Sequence, residues 1–187
     1  MVSAAYDISE AFGLYVQTHA ETGSRSSQIA RCLVGDLHNN KLIMPASRKG
    51  HNGGRGGHVG VPLTPNLAEQ LRKAAASRGP REPLLRRADG EPWRCSVDHS
   101  HPFEQAARKA GLPAGTTIYS LRHSSIARAL LRNMPIKVVA DWHDTSTAMI
   151  DRHYGRFISR HSDDLIRAVL LGTSPTKAPA NVVPLRS

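Results

Sequence analysis

Between residues 41 and 63 the sequence holds two short strand-like runs, "KLIMPAS" and "HVGVPL", joined by the Gly-rich segment "RKGHNGGRGG". The pair reads as a β-hairpin. One hairpin is too small to bury a core by itself, so the rest of the chain must supply helices to cover it. Helical patterns do flank it. Ala5, Ile8, Phe12, Tyr15 and Val16 recur at helical spacing and predict one helix over residues 3–20. A Gly turn in "ETGSRSS" follows, and Ser24 or Ser26 is placed to cap a second helix through "SQIARCL". "TPNLAEQLRKAAASRG" opens with Thr64 and Pro65 and closes on Gly79, a helix with both ends marked.

The stretch "PREPLLRRADGEPWRCSVDHSHP" predicts a loop with a turn at "ADGE", Ser100 then capping a helix through "FEQAARKAG". "YSLRHSSIARALLRN" gives a strong amphipathic pattern through Leu121, Ile126, Ala129 and Leu130. "IKVVADW", "STAMIDRHY" and "SDDLIRAVLL" read as three further short helices. The last residues, "GTSPTKAPANVVPLRS", are expected to be mobile. The expected fold class is α+β: a mainly helical domain over residues 1–172, with a small antiparallel β-sheet inserted near the N-terminal third and a tail over 173–187.

Lys and Arg number 25 against 15 acids in 187 residues, a formal charge of +10. That excess calls for a polyanionic partner, and double-stranded DNA is the first candidate. No apolar run approaches the ~20 residues that span a bilayer, and no signal peptide is visible. Two cysteines, Cys32 and Cys95, make no disulfide framework, which fits a reducing, cytoplasmic setting. Aromatic side chains make up only 5%, which argues against single-strand binding on stacking platforms. Neither a membrane nor a small-molecule substrate is expected as a partner.

Several polar features stand out in order along the chain: Arg25 in "TGSR", Lys49 in the Gly-rich loop, Arg122 and His123 in "YSLRHSS", His143 in "DWHDTS" and Tyr154 in "DRHYGRF". A helix start such as that of "YSLRHSS" gathers anions, and a guanidinium there strengthens the site. Taken together with "VPLTP", "AGL" and "PIKVVADWHDTS", this order resembles the catalytic domain of the tyrosine recombinases, or phage-type integrases, over about residues 10–160.

The resemblance implies site-specific DNA strand cleavage and rejoining through a 3′-phosphotyrosyl intermediate, with no metal or cofactor. Arg25 and Arg122 would grip the non-bridging phosphate oxygens, bidentate and charged at any working pH. Tyr154 matches the nucleophile, His143 the residue that hydrogen-bonds the scissile phosphate, and Lys49 the hairpin lysine that protonates the departing 5′-oxygen. The family most often has His where this chain has Tyr119, and that phenol is expected to be a phosphate ligand. His123 is expected to pack or hydrogen-bond behind the site. Trp142 stands where Gly is usual. Members of the family usually carry an N-terminal helical domain as well; the sequence is expected to lack it and to begin inside the catalytic domain. The resemblance further implies self-association on DNA, as a dimer to tetramer, with "SDDLIRAVLL" docking on a neighbouring protomer.

Two other readings stay open at this point: a non-catalytic DNA-binding module that keeps the fold, and an enzyme like the type IB topoisomerases. Other motifs carry less. Cys95, His99 and His101 in "CSVDHSHP" lack the further ligands that structural zinc needs. "GHNGGRGGH" lacks the phosphate-loop spacing, and Ser124 and Ser125 lack the hydrolase elbow.

Overall fold

The computed structural model describes residues 1–46, 57–159, 166–167 and 169–170. Lys49 with most of the Gly-rich loop, most of "SDDLIRAVLL", and the tail 173–187 lie outside the described residues. The expected α+β architecture is present among the described residues: helices dominate, with one small antiparallel sheet.

The helix expected over residues 3–20 is two helices, α1 (Val2–Tyr6) and α2 (Glu10–Thr22). Ser9 separates them in extended conformation, and its hydroxyl accepts from the Phe12 amide, so it caps α2. The corner lets α1 fold back on α2, where the Tyr6 ring covers Gly13; a Cβ there would sit 2.3 Å from that ring. Helix α3 is short, Ser26–Ile29, and neither Ser24 nor Ser26 caps it. Instead the Gln28 side chain accepts from the Arg25 amide, which leaves the Arg25 side chain free to point elsewhere.

Strands β1 (Leu37–His38), β2 (Lys41–Pro45) and β3 (His58–Pro62) form an antiparallel sheet in the order β1-β2-β3. Leu42 pairs with Val61 and Met44 with Val59, and all four side chains are buried. This alternation turns one face of the hairpin to the core and the other outward. The sequence missed only β1, whose two residues are too few to show a period.

Helix α4 (Pro65–Ala74) is capped by Thr64, whose hydroxyl accepts from the Leu67 amide. It ends before the expected Gly79, with Ser77 taking a left-handed φ of 67° beyond it. Helix α5 spans Cys95–Lys109 and so begins inside the stretch expected to be a loop. Asp98 is its N-terminal anchor: its carboxylate accepts from the Arg94 amide at 2.6 Å and pairs with Arg87 and Arg94. Pro102 lies inside the helix as its eighth residue, where it has no N–H to donate to the Asp98 carbonyl one turn back. Ser100 is therefore a mid-helix residue rather than a cap.

Helices α6 (Tyr119–Leu131), α7 (Ile136–Trp142) and α8 (Thr147–Ser159) follow as expected. Two apolar clusters result. The larger joins α1, α2, the sheet, α4 and α5, with Trp93 stacked on Tyr15 at 4.3 Å. The smaller, Ile126, Ala129, Leu130, Val139, Ala140, Ile150 and Tyr154, binds α6, α7 and α8 together. The polar residues of interest lie where α6 meets α2 and the α7–α8 corner.

Candidate active site

The "TGSR" turn is built for close approach. Gly23 ends α2 with φ +64°, a conformation that disfavours any residue with a Cβ. A Cβ there would also lie 2.6 Å from both His143 Nε2 and Ser125 Oγ. The missing side chain thus lets the turn touch α6 and the end of α7. Through that contact Arg122, only 3% exposed, donates from Nη1 to the Gly23 carbonyl at 3.0 Å and from Nη2 to the His143 carbonyl at 2.5 Å.

Arg25 reaches the same corner from the other side. Its Nη1 donates to the Asp144 carbonyl at 3.0 Å and lies 3.5 Å from the Asp144 carboxylate. Two guanidiniums are therefore held by the successive carbonyls of residues 143 and 144. Asp144 can offer its carbonyl this way because it takes a left-handed φ of 49°, which Asp tolerates better than most residues. Its buried carboxylate also accepts from Gln28 Nε2 at 3.3 Å.

Arg122 itself forms no ion pair among the described residues. Burial and the neighbouring Arg25 charge push its pKa down to about 10, so it still carries its proton at neutral pH. A buried cation facing carbonyls, another cation and a hydrogen-bonded Tyr119 phenol makes a strong demand for an anion. Tyr119 is 47% exposed and stands at the open side of this corner.

Tyr154, on α8, is 8% exposed. Its hydroxyl lies 2.5 Å from His123 Nδ1. Burial and the nearby Tyr119 phenol raise the Tyr154 pKa, and Arg122 pulls it back down. His123 is exposed, and burial of part of its ring together with Arg122 and His153 lowers its pKa. Tyr119 meets the His123 ring edge-on, with ring centroids 4.8 Å apart. The spacing i, i+3, i+4 of Tyr119, Arg122 and His123 explains this grouping on the first turns of α6.

The His143 ring lies inside the protein with both nitrogens engaged. The residue is 1% exposed, with Nδ1 2.9 Å from the Val139 carbonyl and Nε2 3.0 Å from Ser125 Oγ. A carbonyl only accepts, so Nδ1 bears the hydrogen and Nε2 accepts from the Ser125 hydroxyl. Burial first, then Arg122, Arg128 and Arg25, holds the His143 pKa down to about 4 despite the Val139 hydrogen bond. In this state the ring has no donor to spare for a phosphate, and the residue serves the corner through its carbonyl.

The structure thus brings Arg25, Tyr119, Arg122, His143 and Tyr154 to one corner; Lys49 lies outside the described residues. Sequence reasoning missed Asp144, Gln28 and Ser125 and understated His123. A buried acid beside an arginine pair is signalled only by its adjacency to His143 in "DWHDTS". A cleft of about 600 Å³ opens beside the corner, lined by Arg25, Tyr119, Ser26, Ser96, Thr116 and His99 among others.

No family model matches the sequence, and no curated protein matches it. Solved structures do. The XerA recombinase superimposes with a TM-score of 0.70 at 16% identity, covering 89% of this chain and 61% of that one. The fold is that of a tyrosine recombinase catalytic domain. The catalytic domain of bacteriophage HP1 integrase matches at a TM-score of 0.62 and 20% identity, over 89% of this chain and 88% of that domain. A lambda integrase dimer bound to a core site gives 0.61 at 21%, over 79% and 55%. The chain spans about three fifths of the length of the first recombinase and integrase chains it matches. Within the tyrosine recombinase fold, the described residues contain no helix long and apolar enough to cross a membrane.

Proposed function

We propose that the chain cleaves and rejoins DNA strands through a covalent 3′-phosphotyrosyl link, as a site-specific recombinase. The observation that carries this reading is the buried Arg122 guanidinium, unpaired with any described carboxylate, converging with Arg25 and Tyr154 from distant parts of the sequence. A diester phosphate supplies the missing negative charge, and attack on it builds more charge on the oxygens the two arginines hold.

In the reaction Tyr154 Oη forms a bond to phosphorus while the bond from phosphorus to the 5′-oxygen breaks. Arg25 and Arg122 bind the non-bridging oxygens, and the exposed Tyr119 hydroxyl donates to one of them. Lys49 gives the departing 5′-oxygen its proton. Rejoining runs the same steps in reverse with an incoming 5′-hydroxyl, and the bond energy kept in the phosphotyrosine makes an energy cofactor unnecessary. The charge of +10 favours a DNA partner, with strongly salt-dependent binding. Neighbours of the same fold were solved on DNA, lambda integrase as a dimer on its core site, which supports pairing of protomers on DNA here.

Covalent trapping tests the reading. The protein is incubated with nicked duplexes drawn from the DNA flanking its gene and then denatured in detergent. A protein–DNA adduct formed by the native chain and lost in Tyr154→Phe is the expected result. Salt-sensitive binding with no adduct would favour a DNA-binding module without catalysis.

A further inference from the structure

We propose that His123 is the proton acceptor for the nucleophile: its Nδ1 takes the phenol proton as Tyr154 Oη attacks phosphorus. The proposal rests on the strand-cleaving reading above and adds to it the group that makes a buried phenol reactive.

Tyr154 Oη and His123 Nδ1 are 2.5 Å apart, a short bond between groups 31 residues apart in sequence. The two rings lie 5.7 Å apart between centroids and are inclined by 38°. Tyr119 packs edge-on against the imidazole and restrains its plane. A neutral imidazole with its hydrogen on Nε2 presents a lone pair at Nδ1, and the phenol is then the donor of the shared hydrogen. The His123 side chain is exposed beyond this contact, so water can solvate the Nε2–H of the imidazolium that forms when Nδ1 receives the phenol proton.

The electrostatics agree. Among the described residues, the charged and titratable groups facing the pair include Arg122, Tyr119 and His153. Burial raises the Tyr154 pKa, so phenolate is scarce at neutral pH and the attacking oxygen needs a base. Burial, Arg122 and His153 keep His123 neutral and therefore able to accept. When a DNA phosphate occupies the arginines, its negative charge offsets Arg122 and favours the imidazolium as it forms.

The balance is simple. The Oη–phosphorus bond forms, the bond from phosphorus to the 5′-oxygen breaks, the phenol proton moves to His123, and the 5′-oxygen is protonated by Lys49. On rejoining, the imidazolium returns its proton to the departing Tyr154 oxygen.

Two measurements on the full chain test this. The first is the ¹⁵N spectrum of the His123 imidazole in the free protein, with and without Tyr154→Phe. An unprotonated Nδ1 whose resonance moves in the variant is expected; an Nδ1 that already carries hydrogen overturns the proposal, whatever the activity. The second is the rate of adduct formation on the nicked flanking duplexes against pH. In the native chain the rate should fall as pH drops through a histidine-like pKa. His123→Ala should lose about a hundredfold or more at pH 7, rise steadily toward pH 10, and regain rate with added imidazole. A variant that keeps the native pH profile at reduced amplitude, without imidazole rescue, makes His123 a packing residue and overturns the proposal. Absence of any adduct in the native chain overturns the strand-cleaving reading and the proton transfer with it, while the ¹⁵N result still reports the hydrogen bond.

Discussion

Arg122 Nη1 donates to the carbonyl of Gly23, 3.0 Å away in space and 99 residues away in sequence. The bond joins the two arginine motifs: the turn that presents Arg25 is the turn that anchors Arg122. Because His143 and Asp144 supply the next two carbonyls, three separate chain segments are fixed by two guanidiniums.

Gly23→Ala should loosen this corner. The left-handed backbone and the 2.6 Å approaches to His143 and Ser125 both oppose a methyl group. Together they are expected to cost about 2–4 kcal/mol. For a chain of this size that lowers Tm by roughly 5–15 °C, measured by calorimetry. An unchanged Tm would show that the contact is not held in solution.

Arg122→Lys tests the anion site apart from charge. Lysine keeps the positive charge but cannot hold two carbonyls and a phosphate with a planar fork. Adduct formation is expected to drop by about 10²–10³-fold, with the DNA affinity at low salt changed far less. Arg122→Ala should additionally reduce the salt slope of DNA binding by about one unit. A lysine variant with native cleavage would contradict the clamp.

Asp144→Asn and Asp144→Ala should separate charge from conformation. Asn accepts from Gln28 and tolerates the left-handed backbone, so it should fold normally and still place Arg25 on the residue 144 carbonyl. Ala loses the side-chain acceptor and strains the backbone, at about 1–3 kcal/mol. Chemical denaturation of the two variants is the check, and equal stabilities would contradict this account.

Acid should destabilise the protein early. His143 and His19 are buried, with pKa values held down to about 4 and about 3, mainly by loss of solvation. His19 packs edge-on against Tyr15, its Nδ1 3.3 Å from the Ser24 carbonyl, next to the arginine turn. Both folded values lie below the unfolded value of about 6.5, so the unfolded chain binds more protons in between. Stability is full above about pH 6.5 and falls as pH drops toward 4, by up to roughly 1.4 kcal/mol per pH unit for each histidine. A Tm measured from pH 7 to 4.5 should decline, and a flat curve would contradict the burial of these rings.

What was legible in the sequence follows from range. The β2–β3 hairpin and helices α4, α6, α7 and α8 announce themselves because period and cap residues act over a few positions. The break between α1 and α2 was hidden because Ile8 continues the apolar spacing while Ser9 leaves it only through its cap. Helix α5 is longer than its sequence pattern suggests because "CSVDHSHP" is polar and holds Pro102; its start depends on Asp98 meeting Arg87 and Arg94. The arginines and Tyr154 could be picked out from their surrounding motifs. The bond from Tyr154 to His123, the inward turn of His143 and the left-handed Asp144 could not, since each is set by contacts between segments distant in sequence.

The central claim is that Tyr154 becomes covalently joined to DNA. The most direct measurement is mass spectrometry of the proteolysed adduct from nicked duplexes, locating the nucleotide on its peptide. The account predicts a 3′-phosphonucleotide on Tyr154, within the peptide spanning α8, and none in Tyr154→Phe. A nucleotide on Tyr119 or any other residue, or a native chain that binds DNA yet never forms the link, would contradict it.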